Sequence, residues 1–314
     1  MGAEHTQRQA QARVRSAVDA DMCRLAAYLG EAIFLDEVIV KPSHSLLNQA
    51  RECTMAAQRT QGDGWGLGWY GERPEPGLLR DDAPAWSDSN LLAAAQTMRS
   101  HLFMAHVRAA TAGEVTRSNC HPFAQGSWLF MHNGSVGGFA SLRRTLESWL
   151  SDELYAVRRG STDSELLFLL ILQMLRQGLP PPAAGLAVFE AVTALMREEG
   201  VDAPLRFAAA LADGQRLWAF RLASDDQPPT LYLRRMSATE TSGRSGGTLV
   251  ASEPLCGKIA AWTELPAGAV VAIDAHGPKV VRHRGSDLGG GSLVKPLRAE
   301  PRPPSRVMPD VVLA

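Results

Sequence analysis

The sequence predicts an α+β fold, and two observations carry that prediction. Short apolar runs of strand length recur toward both ends of the chain. Between them lie two segments of helical apolar spacing, residues 163–176 and 185–198. Two sheets with helices packed outside satisfy this order, and periodicity alone leaves other α+β layouts open.

The elements follow in chain order. CRLAAYLG, from Cys23, has the apolar run of a buried strand, and GWGLGWY, Gly64 to Tyr70, reads as a glycine-bearing strand. SNLLAAAQTMRS has helical spacing with Ser89 as its cap. HLFMAHVRAAT and SWLFMHNGSV are strands, the second ending at an Asn-Gly turn. Asp163 to Arg176, DSELLFLLILQMLR, is a buried helix that opens on acidic residues, as the helix dipole favours. A second helix runs near Gly185 to Glu198. LRFAAALAD, RLWAFRLA, TLYLRR, GTLVAS and AVVAID are the remaining strands.

The flanks read differently. Residues 1–22 are polar without a strong apolar face, and form an extension outside the fold, expected to be removed or absent in the mature protein. From about Gly289 the chain reads as a flexible Pro-rich tail, leaving residues 23–288 as the folded domain. Its 45% hydrophobic content supplies a sizeable core, and a net charge of -1 gives no basic excess for nucleic acid. No stretch approaches the ~20 apolar residues that span a bilayer. The extension lacks a secretory apolar run, and Glu4, Asp19 and Asp21 count against the presequence that Arg8, Arg13 and Arg15 suggest. Cysteines at 23, 53, 120 and 256 form no CxxC pair, which fits a reducing compartment; the expected location is the cytoplasm.

Four short segments carry chemistry. If Met22 is the start and is removed, Cys23 bears a thiol and a free α-amine, which can exchange a proton near neutral pH; the alternative is a buried structural cysteine. Asn133 and Gly134 can aim a side-chain amide and a backbone N–H at a developing oxyanion, or form a hairpin turn. Arg108 ends an apolar strand, where its planar fork suits a substrate carboxylate or an internal acid. Asp163 suits a substrate ammonium or a helix cap.

The ordered set resembles class II glutamine amidotransferases, an N-terminal-nucleophile hydrolase family. Cys23, DGWGLGWY, AHVRAAT, SNCHPF, FMHNG, GSTDSE and LVASEPL are most similar to the branch holding the amidotransferase-like subunit of fungal glutathione degradation and the γ-glutamyl hydrolase of ergothioneine biosynthesis. The resemblance spans Cys23 to about Asp274. It implies a four-layer αββα sandwich. It also implies Cys23 as nucleophile, Asn133 and the N–H of Gly134 as the oxyanion hole, and Arg108, Asp163 and Thr111 as substrate-binding residues. Arg24, beside the thiol, favours the thiolate. The implied reaction is hydrolysis of a γ-glutamyl amide through a cysteine thioester, with no cofactor or metal. The implied substrate is a small γ-glutamyl molecule; a separate synthase or peptidase subunit is the kind of partner that fits. Alternatives are a glutaminase subunit supplying ammonia to a separate synthase, and a γ-glutamyl-binding protein whose retained extension blocks the thiol. Ala112 stands where the glucosamine-synthase type has a His, a departure from an ordinary glutamine site.

Three other features carry less. Cys120-His121 is an adjacent pair without a second ligand pair. Trp65 and Trp69 suit a pocket wall or, in a strand, the core. Gly64, Gly66 and Gly68 lack the lysine and capped helix of a nucleotide loop.

Overall fold

The computed structural model describes residues 23–52, 62–109, 114–241 and 246–282. The extension 1–22, the tail from Gly289, Cys53, Thr111 and Ala112 therefore lie outside the described residues.

Two antiparallel sheets face one another. The first has seven strands in the order β11-β9-β10-β1-β4-β2-β3, built from Thr263–Glu264, Tyr232–Met236, Gly247–Ala251, Arg24–Phe34, Arg99–Val107, Trp65–Trp69 and Gly77–Asp81. The second has six in the order β13-β12-β8-β7-β6-β5, built from Gly277–Arg282, Ala269–Asp274, Leu217–Ala223, Leu205–Ala212, Trp128–Val136 and Phe123–Gln125. Seven α-helices are described: α1 (Asp36–Ile39), α2 (Leu46–Glu52), α3 (Ser89–Thr97), α4 (Phe139–Ser148), α5 (Asp152–Ala156), α6 (Asp163–Arg176) and α7 (Pro181–Glu198).

Strand alternation explains why the central strands read as continuous apolar runs, since both faces are covered. Leu25, Ala27, Leu102, Met104, Leu129, Met131, Ala210 and Ala219 fill the layer between the sheets. The alternate residues of the first sheet, among them Ala26, Tyr28, Phe103 and Ala105, pack with Val38, Leu46 and Leu91 of α1, α2 and α3. Those of the second sheet, among them Phe130, Phe207 and Phe220, pack with Leu142, Phe168 and Val188 of α4, α6 and α7. The result is the four-layer αββα sandwich expected from the resemblance. No helix among the described residues is long and apolar enough to cross a membrane.

Two local readings are corrected. The cap of α3 is Asp88, whose Oδ1 accepts from the N–H groups of Asn90 at 2.8 Å and Leu91 at 3.2 Å, so Ser89 is already helical. Asn133-Gly134 is no turn: β6 runs on to Val136, with Asn133 opposite Ala208 and Gly134 opposite Phe207. Gly134 sits at φ +147°, and a Cβ there would stand 1.9 Å from the carbonyl oxygen of Arg206. The glycine serves close approach of β7, not chain reversal.

The three glycines of the GWGLGW segment have the same origin. A Cβ on Gly64 would meet Cys120 Sγ at 2.5 Å, one on Gly66 the carbonyl oxygen of His121 at 1.9 Å, and one on Gly68 the ring of Pro122 at 2.9 Å. They clear a track along which residues 120–122 lie against β2. Trp65 and Trp69 pack on the opposite, helix-covered face, and Trp65 Nε1–H donates to Asp88 Oδ2 at 3.1 Å.

Candidate active site

Cys23 immediately precedes β1, at the central strand of its sheet. Arg24 pairs in register with Val107, so the end of β4 runs alongside. The N–H of Ala109 lies 3.3 Å from Cys23 Sγ, and the thiol in turn reaches the carbonyl of Ala109 at 3.3 Å. From the facing sheet, Asn133 donates through Nδ2 to the carbonyl of Cys23 at 2.7 Å and to Ser252 Oγ at 2.6 Å. Ser252 Oγ also accepts from the N–H of Leu25 at 3.0 Å. A nucleophile-type side chain, a backbone N–H and a primary amide thus converge from three remote segments.

Burial raises the Cys23 thiol pKa above its ordinary value; the Ala109 N–H, Arg108 and Arg24 oppose that shift without cancelling it. A thiol so placed needs a base to become a nucleophile. Arg24 is itself buried and held by Glu253 at 2.7 Å, which also stands 3.5 Å from His44 Nε2. Part of its charge is therefore neutralised before it acts on sulfur.

Arg108 is buried, one residue past β4, and its Nη1 donates to the carbonyl of Glu114 at 3.1 Å. Asn119 Nδ2 donates to that same carbonyl at 2.9 Å, and Asn119 Oδ1 accepts from the N–H of Ser161 at 2.8 Å. This bridge ties the Arg108 side to the segment entering α6. Thr162, not Asp163, caps α6, through its hydroxyl and the N–H of Glu165 at 3.2 Å. Asp163 instead accepts from the N–H of Val136 at 2.8 Å and of Ser164 at 2.8 Å. Its carboxylate is thereby fastened to β6 two residues beyond Gly134. The two N–H groups leave capacity for further donors, since an ionised carboxylate offers about four acceptor positions.

Three buried histidines surround Asn133. His132 faces α6: its Nε2 is 3.0 Å from the carbonyl of Arg206 and its Nδ1 2.9 Å from Ser164 Oγ. Only a protonated Nε2 satisfies the carbonyl, so Nδ1 accepts from the serine hydroxyl. His121 Nδ1 lies 2.9 Å from His106 Nε2, with the rings edge to face at 4.2 Å. Burial lowers the pKa of all three; for His106, with Arg108 adding to the effect, it falls to about 3. Asn133 works in the opposite sense on His106, although Asn133 Oδ1 and His106 Nδ1 make no hydrogen bond by strict geometry.

Cys120 and His121 do not act as a ligand pair: Cys120 Sγ turns to the carbonyl of Asp81 at 3.3 Å while His121 turns to His106. Among the described residues no group of three His, Cys, Asp or Glu side chains could hold a metal ion. Thr111 lies outside the described residues. The sequence reading missed Ser252, Asn119 and the positions of His106 and His121, although all four stand within or beside the strings that carried the resemblance.

The family described as glutamine amidotransferases class-II matches residues 35–237. A probable glutamine amidotransferase of Saccharomyces cerevisiae is 30% identical over 291 residues, covering 80% of this chain and 82% of its own. A γ-glutamyl-hercynylcysteine sulfoxide hydrolase of Mycolicibacterium smegmatis is 33% identical over 142 residues, 43% of this chain and 61% of its own. A solved glutamine aminotransferase class-II domain protein from Silicibacter pomeroyi superposes with a TM-score of 0.64 at 40% identity, covering 82% of this chain and 98% of its own.

Proposed function

Since the chain belongs to the class II glutamine amidotransferases, we propose that it hydrolyses a γ-glutamyl amide with Cys23 as nucleophile. The observation that supports this most is the placement of the Asn133 amide on the carbonyl of Cys23, with the Ala109 N–H on its sulfur. The thiol attacks the side-chain carbonyl of the substrate, and the displaced proton passes to the α-amine of Cys23. That amine exists once residues 1–22 are removed, or once synthesis starts at Met22 and that Met is removed. Asn133 Nδ2, trading one of its present partners, and the N–H of Gly134 stabilise the tetrahedral oxyanion. The protonated amine leaves, a thioester remains, and water releases glutamate and restores the thiol. Arg108 pairs with the substrate α-carboxylate and Asp163 with its α-ammonium, each desolvated by burial; Thr111, three residues after Arg108, serves the same end.

The relative named for γ-glutamyl-hercynylcysteine sulfoxide supports an amine larger than ammonia as the leaving group. Purified protein starting at Cys23 should release glutamate from γ-glutamyl dipeptides, and an electrophilic glutamine analogue should add one mass increment to Cys23. Turnover of free glutamine only, rising on addition of a synthase, would replace hydrolysis with ammonia supply. Absence of labelling at Cys23 would remove it as the nucleophile.

A further inference from the structure

Strand alternation places the polar side chains of His106 and Asn133 in the largely apolar layer between the sheets. On β4, His106 shares a face with Leu102 and Met104; on β6, Asn133 shares a face with Leu129 and Met131. His106 Nδ1 and Asn133 Oδ1 are both buried and both without a hydrogen-bond partner. A buried donor and a buried acceptor left open in one layer are costly unless they face each other.

We propose that His121 and His106 form a neutral two-histidine relay that positions Asn133 for the reaction, His121 Nδ1–H donating to His106 Nε2 and His106 Nδ1–H directed at Asn133 Oδ1. The amide orientation carries the argument. The carbonyl of Cys23 can only accept, so the atom 2.7 Å from it is the Asn133 nitrogen, and Oδ1 is the buried atom left without a partner. An Oδ1 in the interior requires a donor. A neutral His106 offers one at Nδ1 only if its Nε2 is bare, which makes His121 Nδ1 the donor across their 2.9 Å contact. Were His106 protonated at Nε2 instead, two lone pairs would confront each other across the layer. Burial and the neighbouring guanidinium of Arg108 keep both rings uncharged, with Arg80 adding to the effect at His121, so one tautomer of each is sufficient.

The backbone is shaped around this relay. Gly66 pairs with His106, and its missing side chain admits the carbonyl of His121. Phe123 also packs edge to face against His121, ring centroids 4.7 Å apart. The histidines touch no substrate; they are positioning residues acting through Asn133.

The relay rests on the reading of Asn133 as an oxyanion donor, and the experiment separates the two. Long-range proton–nitrogen correlation on the histidine-labelled, unsubstituted enzyme should show His106 protonated at Nδ1 and bare at Nε2; protonation at Nε2 overturns the relay without any variant having to fold. Kinetically, His106→Leu should lower kcat about tenfold or more with KM little changed, a fraction of what loss of an oxyanion donor costs. His106→Asn, which keeps a donor near the Nδ1 position, should recover much of it. In an Asn133→Ala background His106→Leu should cost nothing further, as residues acting as one unit are non-additive. Equal losses in His106→Leu and His106→Asn, or full additivity with Asn133→Ala, overturn the relay. Normal kcat in Asn133→Ala overturns the oxyanion reading and the relay with it.

Discussion

Asn133 spans the two sheets, its amide nitrogen 2.7 Å from the carbonyl of Cys23 and 2.6 Å from the hydroxyl of Ser252. Ser252 therefore holds two groups, since its oxygen also takes the N–H of Leu25 at 3.0 Å. Ser252→Ala strands that N–H and loosens the amide. Stability should fall by about 1–3 kcal/mol, as for an unsatisfied buried donor, and kcat should drop while KM changes less. A folded Ser252→Ala enzyme with unchanged kcat would show that the serine does not orient Asn133.

The sequence made the outer plan legible because covered strands leave continuous apolar runs and α6 leaves an acid-led apolar segment, and these residues are where the readings were right. The resemblance supplied the four-layer order that periodicity left open. What stayed hidden was pairing across layers. Nothing in the string SNCHPF says that His121 meets His106, 15 residues earlier, because that contact depends on the clearance at Gly66. Asn133-Gly134 misled for a related reason: a strand glycine demanded by the Arg206 carbonyl is spelled like a hairpin turn.

Cys23→Ala should abolish turnover and retain binding of a γ-glutamyl ligand, and Cys23→Ser should be nearly as inactive, since a hydroxyl is harder to deprotonate than a thiol. Intact mass of the active protein from its native host should correspond to a chain beginning at Cys23. An active enzyme still carrying Met1 would refute the α-amine as base, because its nitrogen would be an amide.

Arg108→Ala and Asp163→Ala should each lower kcat/KM for every γ-glutamyl substrate, whatever amine leaves. Truncating one partner of a desolvated charge pair costs about 2–5 kcal/mol, or roughly 30- to several-thousandfold at ~1.4 kcal/mol per decade. Asp163 also anchors the N–H of Val136, so melting temperature is measured alongside. Folded variants with normal kcat/KM would reject α-amino-acid recognition by these two residues.

Gly134→Ala should fail structurally before it fails chemically. Its Cβ would lie 1.9 Å from the Arg206 oxygen and 2.7 Å from His132 Nε2, so β6 and β7 must part at the point where His132 meets the same carbonyl. The positive φ adds strain of order 1–3 kcal/mol. A soluble Gly134→Ala protein with wild-type melting temperature would contradict this packing.

The buried histidines also set how the fold responds to acid. In the unfolded chain each titrates near pH ~6.5; folded, burial holds His106 down to about 3 and drives His121 well below its ordinary value. Between those limits the unfolded state binds more protons than the native one, so stability rises with pH and is lost as pH falls. The contribution is fully present above the unfolded pKa of ~6.5. Once well below it, each such ring removes about 1.4 kcal/mol per pH unit until its folded pKa is reached. Carboxylates held low by partners, such as Glu147 and Asp81, shift stability in the same sense but only at more acidic pH. Their response begins near the unfolded carboxylate values of about 4. Urea midpoints at constant ionic strength should therefore be flat above pH 7 and decline steeply from about pH 6 to 5, before those carboxylates titrate. Replacing His121 by Phe should flatten that decline if the variant folds, as one protonatable ring is gone from the unfolded state. A flat profile through this window in the unsubstituted protein would mean that the histidines are accessible to protons in the native fold, contrary to their burial between the sheets.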